Sequence, residues 1–146
     1  MVTKAVAGVG ALMRYYSTTL VDWASIGEAT SISGPSMSKE THDVTSLAST
    51  GGYREFITGL KDPGAMTFTM WFNREDYDAM KVLFESNTLQ DFELILPDVE
   101  QTTLEFSGYV TELPLEVPEG PISCNITIKI SGQVTVNSGT HSGPLT

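Results

Sequence analysis

The sequence has few of the residues on which disulfide and metal chemistry depend. Of its 146 residues, one is cysteine (Cys124) and two are histidine (His42 and His141). A single cysteine excludes an intrachain disulfide, and no second cysteine or histidine stands at metal-ligand spacing. Cys124 alternates with apolar residues, so we interpret it as a small buried hydrophobe. We therefore predict neither a metal nor a cofactor.

Basic residues are also scarce. Lys and Arg total 8 against 18 Asp and Glu, which gives a formal net charge of −10. A nucleic-acid-binding protein needs clustered cations to neutralise phosphates, and the sequence has no such cluster. The charge therefore argues against nucleic acid as a tight ligand. The acidity either keeps the chain soluble or repels an acidic molecule that passes nearby, and composition alone favours the first explanation.

Long apolar runs are missing too. No segment reaches the roughly 20 apolar residues of a membrane span. Residues 5–13 follow Lys4 and loosely resemble a signal peptide, but they are rich in Ala and Gly, Arg14 closes the run and no cleavage site follows at once. We predict instead a flexible N-terminal arm over residues 1–20. The length predicts a single domain over residues 1–146.

No catalytic constellation is recognisable. His42 precedes Asp43 in a stretch where strand alternation sends the two side chains to opposite faces, so they do not form a relay. The carboxylates among residues 75–78 suit the first turn of a helix. Neither a phosphate-binding glycine motif nor a nucleophile elbow occurs. We predict that the protein is not an enzyme.

Alternating apolar and polar residues dominate what is present. The clearest case begins at Ala65 and places Met66, Phe68, Met70 and Phe72 on one face. Further strands are predicted over residues 23–33, 37–47, 91–96, 103–113 and 122–136. The last of these would span about 50 Å if straight, whereas a domain of this size has a radius of gyration of about 15 Å. We predict that it either bends, at Gly132, or projects beyond the body of the domain.

A helix and a long loop interrupt this pattern. Asn73 is a predicted N-cap, and residues 74–87 have apolar side chains at helical spacing. Residues 47–64 read as a loop that carries apolar side chains among charges, and residues 137–146 as a C-terminal tail. One helix among grouped strands predicts an α+β fold that is mainly antiparallel β. Trp71 faces away from Phe68, so it needs a second apolar layer from the helix or from a partner subunit.

Three stretches in this order resemble a known family. They are "GYREFITGLKDPGAMTFTMWF" (residues 52–72), "GYVTELPLEVP" (residues 108–118) and "CNITIKISGQVTV" (residues 124–136), with the single helix after the first. Together they resemble the major tail tube proteins of long-tailed phages with non-contractile, lambda-like tails. The resemblance extends over about residues 23–136.

The resemblance implies an architecture and a role. The fold would be a tail-tube-type β-sandwich or barrel with one flanking helix, and six subunits would form a ring whose inner strands join into one barrel around a lumen. Stacked rings would form a tube in the virion, assembled in the host cytoplasm. The tube would enclose the tape-measure protein during assembly and later conduct genomic DNA without binding it specifically. Tail terminator and distal tail or baseplate proteins would be its partners at the ends.

The resemblance also implies site residues. The loop over residues 47–64 would contact the neighbouring ring, and it would be loose in the monomer. The candidate interface residues are Tyr53, Arg54, Glu55, Phe56, Ile57, Leu60 and Lys61. The candidates for lumen charge, which would let DNA slide past, are Glu105, Glu112 and Glu116.

Two other hypotheses remain open from the sequence. The chain is also compatible with another protein of the same fold, such as a tail terminator or completion protein, the inner tube of a contractile tail, or a secretion-system tube protein. The second alternative is a monomeric β-sandwich binding module in which Trp23, Trp71 and Tyr109 stack against sugars. Electron microscopy distinguishes them, because a tube subunit forms hollow tubes or stacked rings.

Overall fold

A computed structural model describes residues 8, 10–17, 21–26 and 29–139. His141 and most of the predicted tail lie outside the described residues. The elements, in chain order, are β1 (Leu12–Ser17), β2 (Asp22–Ser25), β3 (Ala29–Ser33), β4 (Ser38–Asp43), a 3-10 turn (Thr50–Gly52), β5 (Phe56–Asp62), β6 (Ala65–Trp71), α1 (Arg74–Glu85), β7 (Gln90–Ile95), β8 (Thr102–Glu112), β9 (Leu115–Glu116), β10 (Ser123–Ile130) and β11 (Thr135–Ser138).

The strands form one large sheet and one separate hairpin. The sheet has the order β2-β1-β7-β8-β10-β6-β3, while β9 adds to β10 and β11 adds to β8. The strands β4 and β5 pair with each other as a hairpin. Every pairing is antiparallel. The predicted α+β class, dominated by antiparallel sheet around one helix, is confirmed.

The core lies between the inward faces of the strands. On β6, Met66, Phe68 and Met70 are buried while Trp71 is exposed, as the alternation predicts. The core side chains of β10 are Cys124, Ile126, Ile128 and Ile130. Burying each large apolar side chain contributes about 1.5–3 kcal/mol. Phe72, predicted to face inward, is 38% exposed because β6 ends at Trp71 and no strand continues beyond it.

The helix begins where the sequence predicts. The Asn73 side chain accepts a hydrogen bond from the backbone N–H of Glu75 at 3.0 Å, which confirms the N-cap. Met80 and Leu83 pack into the core. The helix ends at Glu85 and not at residue 87, because Ser86 adopts extended backbone angles.

The segment predicted as one long final strand forms two strands. The segments β10 and β11 both pair with β8, with Lys129 opposite Tyr109 and Thr135 opposite Glu105. Between them the backbone turns at Gly132, whose φ of +93° confirms the predicted bend. The chain therefore follows β8 along most of its length.

Two predicted irregular segments contain strands. Within the predicted N-terminal arm, β1 pairs with β2 and β7, and Met13 enters the core. The prediction of a flexible arm is therefore wrong over Leu12–Ser17. The Ala- and Gly-rich residues before this strand hid its alternation. Within the predicted loop over residues 47–64, β5 pairs with β4, and a bulge near Gly59 broke the pattern that would have revealed it. Residues 137 and 138 of the predicted tail belong to β11.

Candidate assembly surfaces

The hairpin of β4 and β5 stands apart from the core. All residues of both strands are exposed, and in the described chain these strands pair with no strand except each other. At about 3.3 Å per residue, β5 is about 23 Å long. A two-stranded hairpin with no apolar layer behind it is marginally stable in water. The hairpin is therefore a candidate for stabilisation by contact with another molecule.

The structure brings the seven candidate interface residues together on this hairpin. The apolar ones are strongly exposed, with Tyr53 and Leu60 each 78% exposed and Phe56 and Ile57 each 55% exposed. Arg54 and Lys61 add cations to the same element. The contact of these residues with another subunit stays a prediction.

The tip of the hairpin is hydrogen-bonded, although it was expected to be loose. The Thr45 N–H donates to Asp43 Oδ1 at 2.8 Å, and the Glu55 N–H donates to Thr45 Oγ1 at 2.7 Å. Ser49 Oγ donates to Glu55 Oε2 at 2.8 Å. The bonds from Thr45 hold the pKa of Asp43 below its usual value. The side chains of Asp43 and Glu55 thus accept hydrogen bonds within the hairpin. Leu47, by contrast, is fully exposed.

Part of the large sheet has two strand edges without a partner. The strand β8 pairs with β7 only up to Gly108, so residues 109–112 leave one edge open, and β9 extends this edge. At the other end of the sheet, β3 pairs with β6 alone. The strands between these edges are β10 and β6. We call this four-stranded unit, which consists of residues 109–116, β10, β6 and β3, the half-sheet; its edges are unpaired among the described residues.

The outward face of the half-sheet is rich in hydroxyl groups. By register this face carries Ser31, Ser33, Thr67, Thr69, Ser123, Asn125 and Thr127. Two aromatic side chains share the face at its ends, with Trp71 opposite Ser123 and Tyr109 opposite Lys129. The Thr69 hydroxyl lies 2.6 Å from Asn125 Oδ1, so part of the face is linked internally. Lys129 adds a cation, and its Nζ lies 4.0 Å from Asp62. The face therefore has little charge of its own.

The predicted lumen carboxylates separate into two groups. Glu112 lies opposite Thr127 and Glu116 opposite Ser123, so both exposed carboxylates border the hydroxyl face at its open edge. Glu105 is only 7% exposed, because it lies on the half of β8 that is enclosed by β7 and β11. Its assignment as a free surface charge of the subunit is therefore wrong.

Sequence reasoning missed a buried charged cluster beside Glu105. Glu93 is directly opposite Glu105 and is fully buried. The Arg14 Nε donates to Glu93 Oε1 at 2.6 Å. No local signal predicts this, because Glu93 occupies an alternating position that normally faces solvent.

The described residues hold little that resembles reactive chemistry. They contain no group of three or more His, Cys, Asp or Glu side chains arranged to hold a metal ion. Cys124 is buried, and its burial raises the pKa of the thiol. An open groove of about 650 Å³ lies at the base of the hairpin, between Lys39, Lys61 and Gln133. Helix α1 is too short to cross a membrane, and no other helix in the described ranges is a candidate.

Solved structures with similar folds come from tails and tubes. A protein in the tail of an empty gene transfer agent particle, refined with C6 symmetry, is 23% identical and has a TM-score of 0.73, with 92% of this chain and 100% of that chain covered. A protein of the sheath–tube complex of an extracellular contractile injection system is 13% identical, with a TM-score of 0.69 and coverage of 94% and 95%. The SPP1 tail tube is 9% identical, with a TM-score of 0.64 and coverage of 94% and 81%.

These similarities establish the fold as that of tail-tube-type proteins. No protein-family model matches the chain, and no curated protein matches it in sequence. The similar structures include a contractile system as well as a phage tail tube. The comparison therefore does not single out the lambda-like, non-contractile tails that the sequence resembles.

Proposed function

We propose that the protein is a tail tube subunit whose copies join through the half-sheet. The observation that carries this proposal is the pair of open strand edges, at β3 and at residues 109–116. If β3 of one copy pairs with residues 109–116 of the next, the backbone groups of both edges are satisfied. Such a head-to-tail contact generates a ring when its rotation closes.

The dimensions suit a hollow tube. With six copies, as in the C6 symmetry of the gene transfer agent tail, four strands from each copy give a barrel of about 24 strands. At about 4.8 Å between strands and a tilt near 40°, this barrel is roughly 48 Å across at the backbone. A lumen of this size accommodates an extended polymer.

The hydroxyl face of the half-sheet is proposed to line the lumen. Its single cation, Lys129, is near Asp62, while Glu112 and Glu116 place carboxylates at each joint between copies. A face without clustered cations displaces few counterions from a polyanion and so holds it weakly. Genomic DNA would pass such a wall without specific binding during ejection, as would the tape-measure protein that the tube encloses during assembly.

The hairpin is proposed to join one ring to the next. It projects from the end of the half-sheet at Ala65 and offers exposed apolar side chains. The resulting tube would belong to a virion tail assembled in the host cytoplasm, with terminator and distal tail or baseplate proteins at its ends. Within this class we propose a non-contractile tail, and a sheath protein co-purifying with the tube would argue for a contractile one.

The open edge at β3 also weighs against a monomeric binding module. Soluble monomers commonly protect their strand edges with charges or prolines. The edge at β3 has neither, because β3 contains only Ala, Thr, Ser and Ile. A terminator or completion protein of the same fold is the alternative within the class, and it differs in that its rings do not stack on themselves.

A cysteine cross-linking experiment tests the ring. Ser31→Cys or Ser33→Cys is combined with Tyr109→Cys or Thr111→Cys, and the purified protein is viewed by negative-stain electron microscopy before and after oxidation. We expect hollow tubes and, for at least one pair, a non-reducing gel ladder that ends at six copies. The controls are the variants that carry only one of the two introduced cysteines beside the buried native Cys124, and they should give no ladder. Particles that stay monomeric, or tubes without any ladder, would overturn the proposed joint.

A further inference from the structure

We propose that an apolar rim at the end of the half-sheet opposite the hairpin is the seat that receives the hairpin of the next copy along the tube. The rim consists of Trp71, Phe72, Leu115, Val117 and Ile122. This inference rests on the proposed tube function and names the second half of its stacking contact.

Strand register places the hairpin and the rim at opposite ends. The strand β6 starts beside the hairpin at Ala65 and ends at Trp71, which is about 23 Å for seven residues. On the neighbouring β10, Lys129 lies opposite Ala65 and Ser123 opposite Trp71. A subunit therefore has its projecting element at one end and the rim at the other.

The rim gathers exposed apolar side chains at one end of the half-sheet, where Trp71 lies opposite Ser123 and Leu115 lies opposite Cys124. The Phe72 N–H donates to the carbonyl of Ile122 at 2.8 Å, so these two residues are neighbours. Their exposed fractions are 38% and 37%, and those of Trp71, Leu115 and Val117 are 42%, 43% and 69%. A cluster of this kind on a soluble subunit indicates an interaction site.

The helix leaves Trp71 uncovered. Its buried side chains are Met80 and Leu83, which face the core, while Tyr77 packs against Phe72 with ring centres 5.6 Å apart. The second apolar layer that Trp71 requires does not come from the helix. The sequence predicts that either the helix or a partner subunit covers Trp71, so a partner copy remains.

The hairpin and the rim match in polarity. The hairpin presents Phe56, Ile57 and Leu60 to solvent, and the rim is also apolar. The charges of the hairpin nearly cancel, with three Lys or Arg against four Asp or Glu over residues 38–62. The proposed contact therefore depends on burial of apolar side chains, which is favourable in water.

The occupant is a second copy because the two surfaces belong to one chain and lie at opposite ends. A contact between two different patches that does not close by rotation repeats without limit and builds a filament. Ring closure through the half-sheet and stacking through the hairpin and rim then use separate surfaces. Each can be removed without the other.

A complementation experiment tests the seat. The rim variant is Val117→Asp with Ile122→Asp, and the hairpin variant is Phe56→Asp with Leu60→Asp. When each variant is combined with the cysteine pair that cross-links the unaltered ring, it should retain the six-copy ladder and form no tubes. Mixed in equal amounts, they should form stacks of two rings and nothing longer, since the rim-variant ring can only donate hairpins and the hairpin-variant ring can only receive them.

The controls separate this inference from the proposed function. Val99→Asp changes a fully exposed residue away from both surfaces and should form tubes like the unaltered protein. If the rim variant fails to fold, Val117→Asp alone replaces it. Full tubes from a folded rim variant, or no two-ring stacks in the mixture, would overturn the seat while leaving the rings intact. Absence of rings from the unaltered protein would instead overturn the tube function.

Discussion

Glu93 and Glu105 lie directly opposite each other on β7 and β8, and both are withdrawn from solvent. Arg14 bonds Glu93 from β1, and its guanidinium carbon lies 5.5 Å from the centre of the Trp23 ring. Burial of charge costs several kcal/mol per ion unless opposite charge and hydrogen bonds compensate. The stability of this side of the sheet therefore depends on Arg14.

We expect Arg14→Met to lower the free energy of unfolding by about 3–5 kcal/mol, because it leaves a buried carboxylate without this partner. Urea denaturation of the subunit measures the change. The matched control is Arg74→Met, which removes an exposed Arg–carboxylate pair to Asp78 and should cost less than about 1 kcal/mol. Equal effects of the two substitutions would show that the buried pair is not a stabilising contact.

Gly108 is a position in the sheet that has no room for a side chain. A Cβ at this position would collide with the carbonyl oxygen of Lys129 on β10. We expect Gly108→Ala to destabilise the subunit by about 1–3 kcal/mol, since the two strands must move apart. Gly120→Ala is the control, because nothing lies within 4 Å of its Cβ position, and its effect should stay within about 0.5 kcal/mol. Similar unfolding midpoints for the two variants would contradict the close approach.

Short-range signals predicted much of the fold. The alternation of β6 and β10, the Asn73 cap and the bend at Gly132 depend on residues close together in sequence, and the structure confirms each. The buried pair of Arg14 and Glu93 joins residues 79 positions apart. No local pattern identifies a polar-face position that another element covers.

The candidate assembly surfaces were also predictable only in part. The resemblance selected the exposed apolar residues of the hairpin, but their strand pairing across a bulge with β4 was not apparent from the pattern. The open edges of the half-sheet were also beyond sequence reasoning, because an edge is defined by the absence of a neighbour. Glu105 was misplaced for the related reason that β7 and β11 enclose it.

The hydrogen bonds of Asp98 predict how the stability of the subunit responds to acid. Asp98 accepts from the Thr102 hydroxyl at 2.5 Å and from the Thr102 N–H at 2.6 Å, and these bonds lower its pKa. Because the folded pKa lies below the unfolded value of about 3.9, the stabilisation is present above that pH and disappears as the pH falls through the folded pKa.

We therefore expect Asp98→Asn to lower the melting temperature at pH 6 and to have a smaller effect at pH 2–3. Thermal melts of both proteins from pH 2 to pH 6 measure the difference. Asp43→Asn, which changes the hairpin tip, should show the same convergence for the same reason. A constant difference between unaltered and Asp98→Asn protein across the range would exclude the proposed linkage.

The hairpin aromatics should matter for assembly and little for folding. Tyr53 and Phe56 are 78% and 55% exposed, so Tyr53→Ala with Phe56→Ala should change the free energy of unfolding by no more than about 0.5 kcal/mol per site. Tubes should be replaced by unstacked rings in electron micrographs. The pair Val82→Ala with Val99→Ala, exposed on other elements, is the control and should leave tubes intact. Unfolding of the isolated double variant would mean that the hairpin residues belong to the core.

Reversing the charge beside the hydroxyl face should turn a weakly interacting wall into a binding wall. Glu112→Lys with Glu116→Lys replaces two negative charges by two positive charges per copy at the proposed lumen, and clustered cations bind DNA by releasing counterions. We expect tubes to form, to retain short duplex DNA at low salt and to release it as salt rises. Glu85→Lys with Glu100→Lys makes the same change in net charge away from this face and should not retain DNA inside the tube. Equal retention by both variants would place Glu112 and Glu116 outside the lumen, because an exterior location would give both variants the same access to DNA.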